Sequence, residues 1–421
     1  MTTYGRIDIA FTHGEGSYLY SEDGKKYLDY ASGIAVNAFG HCHPKLVEAL
    51  KDQASKLWHT SNLYRIPEQE TVAEKLVENS CADRVFFCNS GAEATEGAVK
   101  VARRFAWANG EKDRTEIICA TGAFHGRTLA MLAANDRPLF REGFGPSAQG
   151  FTHVEWGDIE SLKNKIGKHV AAILVEPVQG EGGARKAPKG YLKLLQDIAN
   201  ENGSLLISDE VQIGMGRSGT LFAYQQENIE PDIVALAKGL GGGFPVGAVM
   251  AKAKVGDAMI PGTHGSTFGG NPLAMRSSNA VLDLLLKDDF LKNLKEIIPT
   301  VSQNGADVLV RINSSRSLYE EELEHCIYPK LNAIVIPKLS KIKQNSIKIK
   351  VSKSTSKKYQ KSRFFDHFGL PKPFPNLPKI LPKFCQTFQN RAKIEPRRLQ
   401  EPFQRAFQIQ ASKKDAEKCF K

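Results

Sequence analysis

Between Val85 and Val249, short apolar runs alternate with longer stretches of helical spacing. The runs Val85–Cys88, Ile117–Ala120, Val170–Val175, Leu205–Ser208, Ile233–Ala237 and Val246–Met250 are short, apolar and bounded by turn residues, which predicts buried strands. Between several of them lie helical patterns. In Gly91–Ala108, Ala94, Ala98, Ala102 and Ala106 form one inward stripe, and Gly190–Asn200 is similar. This alternation predicts an α/β domain with a mainly parallel central sheet, whose ligands bind beyond the carboxyl ends of the strands. Upstream, residues 14–30 alternate apolar and polar about Glu15-Gly16 and Asp23-Gly24, a hairpin or small meander. Lys45–Leu57 reads as a helix with Leu46, Val47, Leu50 and Leu57 on one face.

Composition divides the chain. Its net charge is +11, yet residues 1–296 carry 32 Lys+Arg against 36 Asp+Glu, and residues 297–421 carry 25 against 10. Of 36 glycines, 34 fall in the first part. The basic character therefore belongs to the tail, and the first part has the balance of an ordinary enzyme. A chain of 421 residues has room for two or more domains. The amino terminus has no apolar signal region and no run reaches membrane-span length, so no membrane partner is expected. Seven scattered cysteines, with Cys88 and Cys119 inside strand-like runs, suit the reducing cytoplasm better than a disulfide framework.

The chemistry gathers at the strand ends. Ile233–Ala237 delivers Lys238 into Gly239, Gly241, Gly242 and Gly243. Desolvation there lowers the pKa of the amine and makes it nucleophilic; the alternative is a surface lysine before a flexible loop. Phe244 breaks the dinucleotide-binding glycine pattern, and no Walker lysine follows. Leu205–Ser208 is followed by Asp209, an acid that burial makes costly without a partner. A cationic pyridine nitrogen would be one; an ordinary salt bridge or cap is the alternative. Lysine and acid together match the requirements of pyridoxal phosphate. Ser90 and Glu93 spell a capping box, and the same helix start would bind a phosphate through free N–H groups. Phe124 would lie against a flat cofactor or in the core, and Arg127 would clamp a carboxylate. Glu176 to Gly183 and His264 to Pro272 add two glycine-rich loops. His41-Cys42-His43 lacks a second ligand pair at zinc spacing, so a metal is not expected.

The segments GIAVNAFGHCHP, SNLY, NSGAEATEGAVK, TGAFHGRT, EPVQGEGG, SDEVQIGMGRSG, ALAKGLGGGFPVGAV and HGSTFGGNPLA together resemble the class III aminotransferases, and among them the acetylornithine type. The resemblance runs from about residue 4 to about residue 296. It implies fold type I and a homodimer with its site at the subunit interface. Residues 1–45 would begin a small α+β domain, 46–285 form the large cofactor-binding domain, and 286–421 return to the small domain. It further implies that Lys238 carries pyridoxal 5′-phosphate and shuttles the proton, Asp209 pairs with the pyridine nitrogen, and Gln212 lies on the phenolic oxygen side. Phe124 would stack on the ring, Ser90, Gly91 and Ala92 would hold the phosphate, and Thr267 would reach the neighbouring subunit's phosphate. Arg127 would bind a substrate carboxylate, Ser266 would lie near the acylated end, and Glu181 would be a gate that pairs with or releases an arginine. The implied reaction moves the terminal amino group of N2-acetylornithine to 2-oxoglutarate, giving N-acetylglutamate 5-semialdehyde and glutamate, in arginine biosynthesis. Succinyldiaminopimelate, succinylornithine, ornithine and 4-aminobutyrate are the alternative donors.

Beyond about Glu296 the resemblance stops. The glycine-containing strand and the later arginine of the family's carboxy-terminal domain are not found. Lys338 to Lys361 is Lys/Ser-rich, and prolines at 371, 373, 375, 378 and 382 oppose regular structure, a composition of linker or disorder. Translation out of frame is one reading of this tail, leaving a chain that binds cofactor with weakened or absent turnover. A basic arm for nucleic acid or anionic membrane is another, without a recognised module to support it.

Overall fold

The computed structural model describes residues 1–287 and 289–294. Strands β1 (Phe11–Glu15), β2 (Tyr18–Ser21) and β3 (Lys26–Leu28) form the antiparallel meander expected there. Its turns pass through Gly16 and Gly24, both at positive φ. Ser32, Gly33, Ile34 and Ala35 then form one left-handed turn, with φ of 49°, 64°, 62° and 64°. L-residues resist that conformation, at roughly 1–2 kcal/mol each. Asp29 Oδ1 accepts from the Ala31 and Ser32 N–H groups, and Arg217 Nη2 donates to the Ala35 carbonyl, fixing both ends. The helix that follows spans Pro44–Ala54. It ends three residues early, so Leu57 is not on its inner face but 48% exposed.

The central sheet contains β4 (Arg84–Cys88), β5 (Glu116–Ala120), β6 (Phe151–Val154), β7 (Val170–Val175), β10 (Leu205–Asp209), β11 (Ile233–Leu236) and β12 (Gly247–Ala251). The two-residue strands β8 (Val178–Gln179) and β9 (Arg185–Lys186) pair separately. Strand order is β4-β12-β11-β10-β7-β5-β6, and β12 runs antiparallel to both neighbours while the other pairs are parallel. β6 was not foreseen: its sequence FTHV, with Thr152 and His153 in the middle, lacks an apolar run and lies at the sheet edge.

Both faces are covered, as a parallel sheet requires. Ile118, Ile173, Leu206 and Val234 enter one apolar cluster, and their neighbours Ile117, Leu174, Ile207 and Ala235 enter the other. The Gly91–Ala108 helix packs on β11 and β12 through its buried alanines. A Cβ on Gly97 would stand 2.8 Å from Val249 Cγ2, so the small residues on this stripe are what let helix and sheet approach. The chain leaves β4, β5, β7, β10 and β11 at one edge of the sheet, and the chemistry-bearing residues follow there. The expected return of the chain to a small domain over 286–421 lies, beyond 294, outside the described residues, with the composition break and the proline run.

Candidate active site

Lys238 stands two residues past β11, at the start of a short 3-10 turn, Lys238–Leu240, with φ of 44°. Burial lowers the pKa of its ammonium group. Asp209, Glu181 and Glu176 pull the other way, and the Arg217 charge reinforces the lowering. The glycine loop behind it is packed rather than flexible. A Cβ on Gly241 would meet the Phe244 carbonyl at 1.9 Å, and one on Gly242 would meet Val281 and Leu46 at under 3 Å. Those glycines admit protein neighbours, which sets aside the alternative of a flexible loop after a surface lysine.

Asp209 is 3% exposed at the end of β10. Its Oδ2 lies 2.7 Å from His125 Nδ1, and its Oδ1 accepts from the Val211 N–H at 3.0 Å. His125 is buried, and its Nε2 has no hydrogen-bond partner. Burial alone would lower the pKa of the ring, but the hydrogen bond and charge of Asp209, aided by Glu176, raise it overall. Histidine and aspartate therefore form a buried hydrogen-bonded pair that favours a proton on the ring. Glu176, after β7, accepts from the Phe124 N–H at 3.0 Å. Burial pushes its carboxyl up to about 7 against the pull of His125.

At the start of the Gly91–Ala108 helix the capping box forms with a shift. Ser90 Oγ accepts from the Glu93 N–H and donates to Glu93 Oε2, while that carboxylate reaches back to the Asn89 N–H at 2.9 Å. The Ala94 amide bonds to the Ser90 carbonyl. Of the first-turn amides, those of Gly91 and Ala92 remain for an anion. Gln212 lies against the loop after β8: a Cβ on Gly180 would fall 1.1 Å from its Oε1, so only glycine admits Gln212 there. Phe124 is half-buried and meets Phe140 edge-on at 6.2 Å. The Arg127 guanidinium carbon sits 3.5 Å from the centre of the Phe140 ring and 5.5 Å from that of Phe124.

Ser266 and Thr267 belong to a loop anchored at both ends. Ser266 Oγ accepts from the Gly269 N–H and from Asn89 Nδ2, and Asn62 Nδ2 donates to the Ser266 and Gly269 carbonyls. The Ser266 hydroxyl thus ties this loop to the end of β4, and Thr267 is exposed.

A half-buried amine, a buried acid with its histidine, two free helix-end amides and a half-buried aromatic ring fit pyridoxal 5′-phosphate in charge. A family model for class III aminotransferases matches residues 2–309. The chain belongs to the class III aminotransferases. These enzymes act with pyridoxal 5′-phosphate, and the match runs past residue 296, where the quoted motifs end. The acetylornithine aminotransferase of Agrobacterium fabrum is 52% identical over 306 residues, covering 73% of this chain and 77% of the relative. The N-acetylornithine aminotransferase structure from Stenotrophomonas maltophilia is 38% identical with a TM-score of 0.61, covering 72% of this chain and 75% of that one. An ornithine aminotransferase structure from Toxoplasma gondii, described with partial occupancy of PLP at its active site, is 32% identical with a TM-score of 0.68, covering 72% and 74%.

In this aminotransferase the loops bring Lys238, Asp209, Gln212, Glu181 and Phe124 to one sheet edge, and Ser90–Ala92 follow β4 at the same edge. Sequence reasoning marked His125 and Glu176 only as polar residues at strand ends. Their signal was position: each directly follows a strand or its turn. Phe140 and Arg137 were missed altogether, since the one-turn helix Pro138–Arg141 has no periodicity long enough to read.

Proposed function

We propose that this chain transfers the terminal amino group of N2-acetylornithine to 2-oxoglutarate, giving N-acetylglutamate 5-semialdehyde and glutamate, as a step of arginine biosynthesis. The observation that carries this reading is the half-buried Lys238 amine, its pKa lowered, in the field of Asp209, which is paired with His125. The names of relatives at about 50% identity support the donor.

When bound, the cofactor supplies a cationic ring that accepts the electron pair left as the donor carbon loses its proton. The protein does the rest. Lys238 Nζ, whose charged form burial disfavours, takes that proton and later returns it. Asp209 would pair with the pyridine nitrogen, and His125, 2.7 Å from its Oδ2, fixes its orientation. Phe124 would lie against the ring, and Gln212 would serve its phenolic oxygen. Ser90 and the amides of Gly91 and Ala92 hold the phosphate. Arg127 binds a substrate carboxylate, Ser266 lies towards the acylated end, and Glu181, close enough to Lys238 to act on its charge, gates between half-reactions.

The homodimer belongs to the same reading. Leu57, Trp58, Leu63, Tyr64 and Phe268 are exposed large apolar residues, Asn62 and His59 from the first stretch touch the Ser266–Gly269 loop, and a second copy would cover this surface while bringing Thr267 to its cofactor phosphate. Free Cys42, Cys81, Cys88 and Cys119 support a cytoplasmic setting. Cofactor binding with weakened turnover is the second reading, favoured by the family match ending at residue 309.

Holoenzyme should show a long-wavelength absorbance band that borohydride abolishes and that Lys238→Ala lacks. N2-acetylornithine should give the highest kcat/KM among the five donors; a higher value for 4-aminobutyrate or ornithine would sink the donor assignment. A full band without turnover would select the second reading.

A further inference from the structure

We infer that Arg137 is a second carboxylate-binding residue of this site and makes it selective for a five-carbon dicarboxylate. The inference rests on the reading above, in which Arg127 takes one carboxylate.

Two guanidinium groups converge on one ring. Arg127 lies 3.5 Å and Arg137 5.2 Å from the centre of Phe140, so the cations are no further apart than those distances laid end to end. Like charges brought together need an anion. Other arginines of this chain have one: Arg65 pairs with Glu70, and Arg84 with Asp257. Among the described residues no carboxylate forms an ion pair with Arg127 or Arg137. The Phe140 face disperses some of the repulsion without neutralising either charge.

Both groups are held in place without being consumed. Arg137 is half-buried, and its Nη2 donates to the Glu181 carbonyl at 2.5 Å, which ties it to the gate loop. A guanidinium has five donors, so one such bond leaves an edge for a carboxylate. Phe140 stands edge-on to Phe124, placing the pair of cations beside the ring expected to cover the cofactor. An extended five-carbon dicarboxylate has about 5 Å between its terminal carbons, four bonds of about 1.5 Å along a zigzag. That span lets one carboxylate meet each arginine, whereas a monocarboxylate engages Arg127 alone.

Calorimetric titration of the PLP-loaded protein with glutarate and with butyrate tests this. Arg137→Gln should weaken glutarate binding at least about tenfold and butyrate less than about twofold, since a buried charged hydrogen bond is lost for one acid only. Arg137→Lys should recover part of the glutarate affinity. Arg127→Gln should weaken both acids. If Arg137→Gln leaves glutarate unchanged, or weakens both acids equally through a displaced Glu181 loop, while Arg127→Gln still weakens both, the inference falls and the Arg127 reading stands. If Arg127→Gln changes neither acid, that reading fails and takes Arg137 with it.

Discussion

The two sides of this site treat charge in opposite ways. On the sheet side, Asp209, His125 and Glu176 are buried and Lys238 is half-buried, and Asp209 and Glu176 favour the charged forms of His125 and Lys238. On the open side, Arg127, Glu181, Ser90 and Thr267 are exposed, and Arg127 rests on an aromatic ring rather than a carboxylate. The buried set is tuned by desolvation, so its groups hold proton positions that water would not allow. Apart from the Ser90 hydroxyl, which is engaged with Glu93, the exposed set is completed by what binds. Loss of a buried member should therefore change chemistry, and loss of an exposed one should change affinity. Lys238→Ala is the most severe test. Turnover should fall at least about 10⁴-fold, because both nucleophile and proton carrier are lost. A single-turnover assay that finds more than a few per cent of the rate would break the division.

Asp209→Asn should come next. It removes the charge facing His125, whose Nε2 already lacks a partner, and leaves a buried imidazole whose protonation Glu176 alone favours. Breaking a buried ion pair costs about 3–5 kcal/mol. Turnover should fall by roughly 10²–10³, the usual loss for one preorganised electrostatic group. Melting and stopped-flow measurements would separate the two losses. A variant that melts normally and turns over normally would show the pair to be incidental.

What the sequence made legible follows the same divide. Lys238, Asp209 and Ser90 were readable because each lies within two residues of the end of an apolar strand, and a polar residue at such an end is a local pattern. The Gly91–Ala108 helix was bounded correctly, because its alanine stripe keeps one period throughout. Arg137 and Phe140 were invisible, since their meeting with Arg127 depends on how a one-turn helix returns over the loop after β5. β6 was missed because edge strands need fewer apolar residues, and the left-handed turn at Ser32–Ala35 because it contains a single glycine. Tertiary contacts from Asp29 and Arg217 hold that turn, and no local propensity predicts it.

Glu210 tests the buried side by pH. It accepts from the Ala223 and Tyr224 N–H groups, yet burial outweighs them and raises its carboxyl from 4.5 to about 7. The folded state then holds this proton more tightly than the unfolded state. The stabilisation is complete below about pH 4.5 and is lost as pH rises through about 7, up to about 3 kcal/mol. Cofactor-free protein should melt lower at pH 8 than at pH 5, and Glu210→Gln should flatten the difference. An unchanged slope in the variant would mean that the two amides, not burial, govern this group.

Ser90→Ala should have the smallest effect and gives the sharpest view of the exposed side. The hydroxyl has two claims on it: the Glu93 cap seen here and the phosphate proposed for the same helix start. Losing an N-cap costs about 1 kcal/mol, so the cofactor-free protein should melt slightly lower. If the hydroxyl also holds phosphate, the dissociation constant of PLP should rise several-fold, within about tenfold for one hydrogen bond. A lower melting point with unchanged PLP affinity would confine Ser90 to the cap and leave the phosphate to Gly91 and Ala92. Ser90→Thr separates the claims further, because threonine retains the hydroxyl and adds a methyl group. The cap should survive that change, so any fall in PLP affinity would come from crowding at the phosphate.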